Sequence, residues 1–267
     1  MLKGILPLLT LVSFGSLAGN VNFTGDFIQG GMIIGIADSK VVKASVDGVK
    51  IPVHPDGKTL VFGYGRDAKA DSVVEIEFAD GTKHKEQVTI DQREYKIDKV
   101  NGVAQKYVSP PESVLKRIRN DSAIVKEARS GLSYRQDYLA QAITPAKGRI
   151  SGVYGSQRYF NGVPKRPHFG MDIAAPTGTK VIAPWSGQVV LAEPDLYYSG
   201  GTLIIDHGMG ITSTYIHLSK LHIEVGDKIN AGELIAEIGA TGRVTGPHLD
   251  WRLNWFNRRL DPQLLLE

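Results

Sequence analysis

Between Val21 and about Lys99 the chain alternates short β-branched runs with turn residues. The runs are Met32 to Ile36, Val41 to Val46, Val49 to Val53, Thr59 to Phe62, Val73 to Phe78 and Gln87 to Ile90. Asp47-Gly48, Asp56-Gly57 and Asp80-Gly81 sit between them as hairpin signals, since Asp-Gly readily supplies the positive φ that a two-residue hairpin turn requires. Turns this frequent predict a small antiparallel sandwich of immunoglobulin-like type. His54 and His84 lie in this region without a partner motif and are expected to be ordinary surface residues.

Ser109-Pro110-Pro111-Glu112 changes the pattern. Proline cannot donate to a strand ladder but suits the first turn of a helix, and Val114, Leu115, Ile118, Val125 and Ala128 follow near helical spacing. One linker helix is predicted over about 111–129, too short in its apolar repeat for a coiled coil. Lys116, Arg117, Arg119, Lys126 and Arg129 are expected to form its solvated face, although such a row also suits an anionic polymer.

Beyond Ala146 strand patterns return, with many glycines. Two stretches echo each other, Gly178 to Val190 and Val225 to Ala236, each an apolar strand, a turn and a second strand. Similar hairpin pairs occur in biotinyl and lipoyl carrier domains. A carrier, however, presents a modifiable lysine at a hairpin tip, and nothing like Met-Lys-Met is present. The predicted architecture is mainly β, with an N-terminal β-sandwich accessory domain over 19–99, a linker with one helix over 100–145, and an all-β domain of duplicated hairpins over 146–267.

Residues 2–18 are apolar or small apart from Lys3, are broken by Pro7 and end at Ser16-Leu17-Ala18. This is the pattern of a cleavable secretory signal over 1–18, with an uncleaved anchor as the alternative. No stable membrane insertion is expected after its removal. Cysteine is absent, which closes the lipoprotein and disulfide routes and leaves nitrogen and oxygen as the only strong metal donors. The net charge of +3 is too small to argue for nucleic acid.

Candidate chemistry is concentrated in the last hundred residues. His168-Phe-Gly-Met-Asp172, Tyr215-Ile-His217-Leu218 and His248-Leu-Asp250 place histidine and carboxylate at even separations. In extended strands such positions share one face, so each pair can point into a single cleft as a zinc site built on strands requires. A helix is a poor host for the first cluster, because Gly170 interrupts it and Ala175-Pro176 closes it.

Together with Asp206-His207-Gly208, Gly170-Met-Asp172-Ile-Ala-Ala-Pro176, Val181-Ile-Ala-Pro184 and Gly239-Ala-Thr-Gly242, these clusters resemble the lysostaphin/LytM-type zinc metalloendopeptidases, a family of bacterial cell-wall hydrolases. The likeness covers about 146–267. It implies a Zn²⁺ cofactor, His168 and Asp172 as the first two metal ligands, and His217 and His248 as catalytic histidines that activate water and stabilise the oxyanion. The family's third ligand is a histidine two residues beyond His248, where this chain has Asp250. A His/Asp/Asp set brings the formal charge around Zn²⁺ near zero and should acidify a bound water less.

Tyr215 is expected either to orient His217 or to pack in the core. His207 is expected to shape a hairpin, and neither it nor His222 to be catalytic. Tyr159, Phe160, Tyr197 and Tyr198 are candidates for cleft walls, and Trp251 and Trp255 for packing. The implied substrate is peptidoglycan, cut in its stem peptides or cross-bridges, with a periplasmic or secreted location; a regulatory protein partner, if there is one, is unknown. The alternative is a catalytically weak or inactive relative that binds cell wall and activates other hydrolases.

Overall fold

The computed structural model describes residues 19–266, so the signal expected over 1–18 lies outside the described residues. The N-terminal strands are β1 (Val21–Thr24), β2 (Met32–Ala37), β3 (Val41–Val46), β4 (Val49–Ile51), β5 (Thr59–Gly63), β6 (Asp71–Phe78) and β7 (Lys83–Thr89). They form two antiparallel sheets, β1-β2-β5 and β4-β3-β6-β7. Side chains on β6 alternate as the pattern requires, with Ser72, Val74, Ile76 and Phe78 buried and Asp71 and Glu75 exposed. Asp47 and Gly48 have φ of 51° and 75°, as the hairpin between β3 and β4 demands. In this region the sequence pattern overlooked β1, the first residues of β7 and the strand that begins at Ile97.

The linker is less of a spacer than its sequence suggests. Strand β8 (Ile97–Val100) pairs in parallel with β10 (Gln157–Phe160) of the C-terminal region. A short helix α1 (Gln105–Val108) then precedes α2 (Glu112–Ala128), the helix predicted over about 111–129, with Pro111 as its N-cap. Val125 and Ala128 of α2 pack against Leu191, Leu196 and Ile204. The expectation of a solvated basic face fails only at its end: Arg117 stays exposed while reaching the Asp195 carboxylate at 2.8 Å, but Arg129, just past the last helical turn, is only 3% exposed.

The C-terminal strands are β9 (Arg149–Gly152), β10, β11 (Val163–Pro164), β12 (Met171–Ala174), β13 (Lys180–Ile182), β14 (Gly187–Leu196), β15 (Gly200–Gly208), β16 (Ile211–Leu221), β17 (Lys228–Ile229), β18 (Leu234–Ile238), β19 (His248–Trp255) and β20 (Arg258–Leu260). The main sheet runs β17-β14-β15-β16-β19-β12-β9, with β18 joining β13 to β16 and β20 flanking β19. The two echoing stretches of sequence pair with each other. The first strand of one, β13, lies against the second strand of the other, β18, and β14 lies against β17. Every position of β15 is buried, which explains its continuous Thr202-Leu-Ile-Ile205 run in place of alternation.

Two hydrophobic clusters support this sheet. One holds Met171, Ile173, Leu203, Tyr215, Leu249 and Trp251. The other runs without a break from Ile33, Leu60, Phe62 and Ile76 of the sandwich to Trp185, Ile211, Trp255 and Leu260. Leu260 fills the space beside Gly63, where a Cβ would collide with it. We expect Leu260→Ala to cost about 2–5 kcal/mol through the cavity it leaves. Urea unfolding followed by tryptophan fluorescence should show the midpoint fall with a single transition retained.

Candidate functional site

Antiparallel pairing sets β12 beside β19 with Asp172 directly opposite Asp250. Both carboxylates are buried, at 6% and 1% exposure, as is His168 at 2%. The sheet approaches them closely: a Cβ on Gly152 would collide with Asp172 Oδ2, and one on Gly170 with Asp250 Oδ1. Glycine is therefore required at both positions, and this gives the Gly170-Met-Asp172 motif a steric reason. His168 stands just before β12, in irregular backbone, not on the strand that the even spacing suggested.

The three side chains converge. One ligand atom each from His168, Asp172 and Asp250 lies within 4.8 Å of the others. His168 Nε2 is 3.0 Å from Asp172 Oδ1, and His168 Nδ1 is 3.9 Å from Asp250 Oδ2. Yet both ring nitrogens and Asp172 Oδ1 are buried without an aligned hydrogen-bond partner. Buried polar atoms left in this state are costly unless something else satisfies them. The donor set, one imidazole and two carboxylates, suits a divalent cation of zinc's kind.

Two arginines complete the cluster, and the sequence patterns did not identify either. Arg252, two residues beyond Asp250 on β19, grips it with both arms, Nε to Oδ1 at 2.9 Å and Nη2 to Oδ2 at 2.6 Å. Arg158 on β10 donates to Asp172 Oδ2 at 2.5 Å. Burial pushes both carboxyl pKa values up, but it is outweighed by Arg252 and His168 at Asp250, and at Asp172 chiefly by His168 with Arg158 assisting. Both therefore stay below the usual carboxylate range. The Arg252 fork uses one lone pair on each Asp250 oxygen and leaves others for a metal. These guanidinium charges also correct the charge argument from the ligands alone: the site is not near zero once they are counted, so the expected weaker acidification of water loses its basis.

His217 and His248 stand together, ring centroids 4.8 Å apart. His217 Nδ1 is 2.8 Å from the Thr241 carbonyl and His248 Nδ1 is 2.9 Å from the Gly246 carbonyl. A carbonyl only accepts, so in the neutral rings each Nδ1 carries the hydrogen and each Nε2 keeps a lone pair. His248 Nε2 lies 3.9 Å from Asp172 Oδ1. His217 and His248 line one cleft of about 400 Å³ together with Asp172, Arg158, Phe160 and Arg243, and residues 97–100, at the junction of the accessory region and the linker, form part of its wall.

His217 reaches the cleft by a device that strand periodicity does not foresee. Its φ is +68°, a left-handed conformation that reverses the alternation of β16. Tyr215 consequently does not share its face. The tyrosine is fully buried in the core, its hydroxyl 2.9 Å from Ser213 Oγ, so the packing alternative holds for Tyr215 and the same-face argument for 215 and 217 does not.

Other residues fall as follows. His207 bridges Ser186 O and Ser213 Oγ, each at 2.7 Å, inside the sheet. His222 contacts Glu237 away from the cleft. His54 and His84 are half-buried, the first reaching Tyr134 O and the second Glu86. Phe160 and Tyr198 sandwich Arg243, at 4.8 and 4.5 Å from its guanidinium to the ring centroids. Tyr197 is instead tied to the linker through Lys106 O and Asp121. Tyr159 is not among the cleft-lining residues, while Trp251 and Trp255 are core residues.

Residues 166–262 match the model of peptidase family M23. Peptidoglycan DD-endopeptidase ShyA of Vibrio cholerae is 41% identical over 110 residues, 40% of this chain and 25% of that protein. Lysostaphin of Staphylococcus simulans is 36% identical over 100 residues, 37% of this chain and 20% of that protein. These alignments thus span a quarter or less of each relative. A solved Pseudomonas aeruginosa structure assigned to peptidase M23 superposes with a TM-score of 0.68 at 26% identity, covering 90% of this chain and 94% of that one.

Burial pushes the pKa of His207 down to about 4, and burial with the nearby His248 pushes that of His217 down to about 3. Both rings stay neutral in the fold where the unfolded chain, titrating near the ordinary histidine value, takes up protons. Their contribution to stability is therefore complete above about pH 6.5 and declines as pH falls toward those folded-state values. Each should add a slope of up to about 1.4 kcal/mol per pH unit in that window. Urea unfolding between pH 7 and 5 should show the decline, and His207→Gln should flatten it by about one proton.

Proposed function

We propose, since residues 166–262 match the model of peptidase family M23, that this chain is a zinc-dependent endopeptidase that hydrolyses peptide cross-links of peptidoglycan in the bacterial cell envelope. The observation that carries the reading is the convergence of His168, Asp172 and Asp250 within 4.8 Å beside the paired imidazoles of His217 and His248. Relatives named as peptidoglycan DD-endopeptidases and as lysostaphin support the substrate class. In this reading 146–267 is the peptidase domain, 19–99 an accessory domain and 100–145 the linker.

His168, Asp172 and Asp250 would hold the ion. When bound, zinc supplies a Lewis acid that polarises the scissile carbonyl and acidifies the attacking water. The protein's own groups do the rest. His217, kept neutral by burial and held by Thr241 O, offers Nε2 as proton acceptor. His248, oriented by Gly246 O through Nδ1–H, would act on the oxygen on which charge develops as a donor, which requires a hydrogen on Nε2 as well. Arg252 and Arg158 hold the two carboxylates in place and offset the repulsion between them. No helix among the described residues is long and apolar enough to cross a membrane, which is compatible with the periplasmic or secreted location we assign.

The inactive-activator alternative draws on the replaced third histidine alone. Against it, Asp250 keeps a carboxylate oxygen within reach of His168, and both imidazoles retain oriented Nε2 atoms.

Isolated sacculi digested by the purified full chain should release muropeptides with cleaved cross-links, detected by mass spectrometry. Chelation should abolish the release and Zn²⁺ restore it. His217→Ala should lower the rate about 10²- to 10⁴-fold, the usual range for a positioned acid–base group. A zinc-free, inactive protein that still stimulates an amidase would overturn the proposal. Arg252→Met isolates a second element of the account. Stripping the partner from buried Asp250 should cost the zinc-free protein about 3–5 kcal/mol, and added Zn²⁺ should recover much of that in urea unfolding.

A further inference from the structure

Beneath α2, on the side of β16 and β19 next to the metal cluster, lies a second, smaller cleft of about 150 Å³. Three arginines line it: Arg129 from the end of α2, Arg252 from β19 and Arg259 from β20. The hydroxyl-bearing Ser199, Thr202 and Thr214 complete its polar wall. The aromatic ring of Tyr198, also in this wall, stacks on Arg243 of the larger cleft, so the two cavities share a partition.

The charges here do not balance internally. Arg129 is 3% exposed and, among the described residues, its side chain makes one hydrogen bond, from Nη2 to Thr214 Oγ1 at 3.0 Å, while its Nε is buried with no partner there. Arg259 donates to the neutral Asn254 Oδ1 at 3.2 Å. Of the three, only Arg252 has a carboxylate, Asp250, and that carboxylate is already gripped. Asp121, the acidic residue in the wall, accepts from the Tyr197 amide at 2.7 Å and lies 3.9 Å from Arg117. Burial and the neighbouring Arg259 and Arg252 push the Arg129 pKa well down. A buried guanidinium with an idle donor beside two like charges is expensive unless an anion meets it.

We infer that this cleft is a binding site for a compact oxyanion, held by Arg129, Arg252 and Arg259. Guanidinium groups match phosphate and carboxylate oxygens with parallel N–H donors, which makes arginine the side chain suited to such a site. The oxyanion has two possible sources, free inorganic phosphate or the terminal carboxylate of a peptide chain. The inference does not depend on the peptidase reading, since the idle buried donor belongs to Arg129, whose side-chain hydrogen bond goes to Thr214 and not to a proposed metal ligand.

The test is calorimetric titration of the purified, zinc-loaded full chain with inorganic phosphate, repeated with acetate and with glycyl-D-alanine as competitors. One phosphate per chain should bind, and Arg129→Met should weaken that binding at least tenfold. Arg117→Gln, on the exposed side of the same helix, should leave it unchanged. A thermal scan provides the second readout: phosphate should raise the Tm of the wild type and of Arg117→Gln, but not that of Arg129→Met. Displacement by glycyl-D-alanine but not by acetate assigns the site to a chain terminus, and failure of both competitors assigns it to free phosphate. Absence of saturable binding, or equal affinity in wild type and a folded Arg129→Met, overturns the inference, because phosphate would then reside on the zinc or nowhere.

Discussion

Two buried aspartates face each other across adjacent strands beside the cleft, and the surroundings of the site are organised around that confrontation. Asp172 and Asp250 are cross-strand partners, an arrangement in which like charges repel and burial removes the water that would screen them. The fold answers with cations on each side, Arg158 on one carboxylate and Arg252 on the other. A metal held between them would add the strongest compensation of all. Removal of any one of these cations leaves a charge that the sheet cannot solvate, so the site is stabilised as a set and not residue by residue.

Parts distant in sequence meet around this place. Arg158 comes from β10, whose other edge pairs with β8 of the linker, so the wall beside Asp172 is built from the segment joining the sandwich to the main sheet. Arg129 comes from the end of α2, and Arg259 from the strand that follows β19. The sandwich is bound in through the apolar cluster that runs from Phe62 to Trp255. Linker and accessory region thus take part in the cleft's surroundings.

Much of this was legible in the sequence, for local reasons. The Asp-Gly turns and β-branched runs marked the sandwich strands, Pro111 marked the start of α2, and the two echoing hairpins prove to pair with each other. His248 and Asp250 could be read as sharing a face because even spacing on a strand fixes one. The failures are equally instructive. His217 enters the cleft through a positive φ that no periodicity announces, and His168 does so from irregular backbone. Arg252 was within reach of the same period-two argument that found Asp250. Arg158 and Arg129 carried no local signal, because their partners lie on other elements and become neighbours only in the folded sheet.

The most direct test of the account is a crystal structure of the zinc-loaded full chain with anomalous data collected at the zinc edge. The account predicts one anomalous peak bonded to His168, Asp172 and Asp250 at about 2.0–2.2 Å, with Arg252 still gripping the far side of Asp250. A peak elsewhere, or none while Asp250 stays closed within the Arg252 fork and turned from His168, would contradict it.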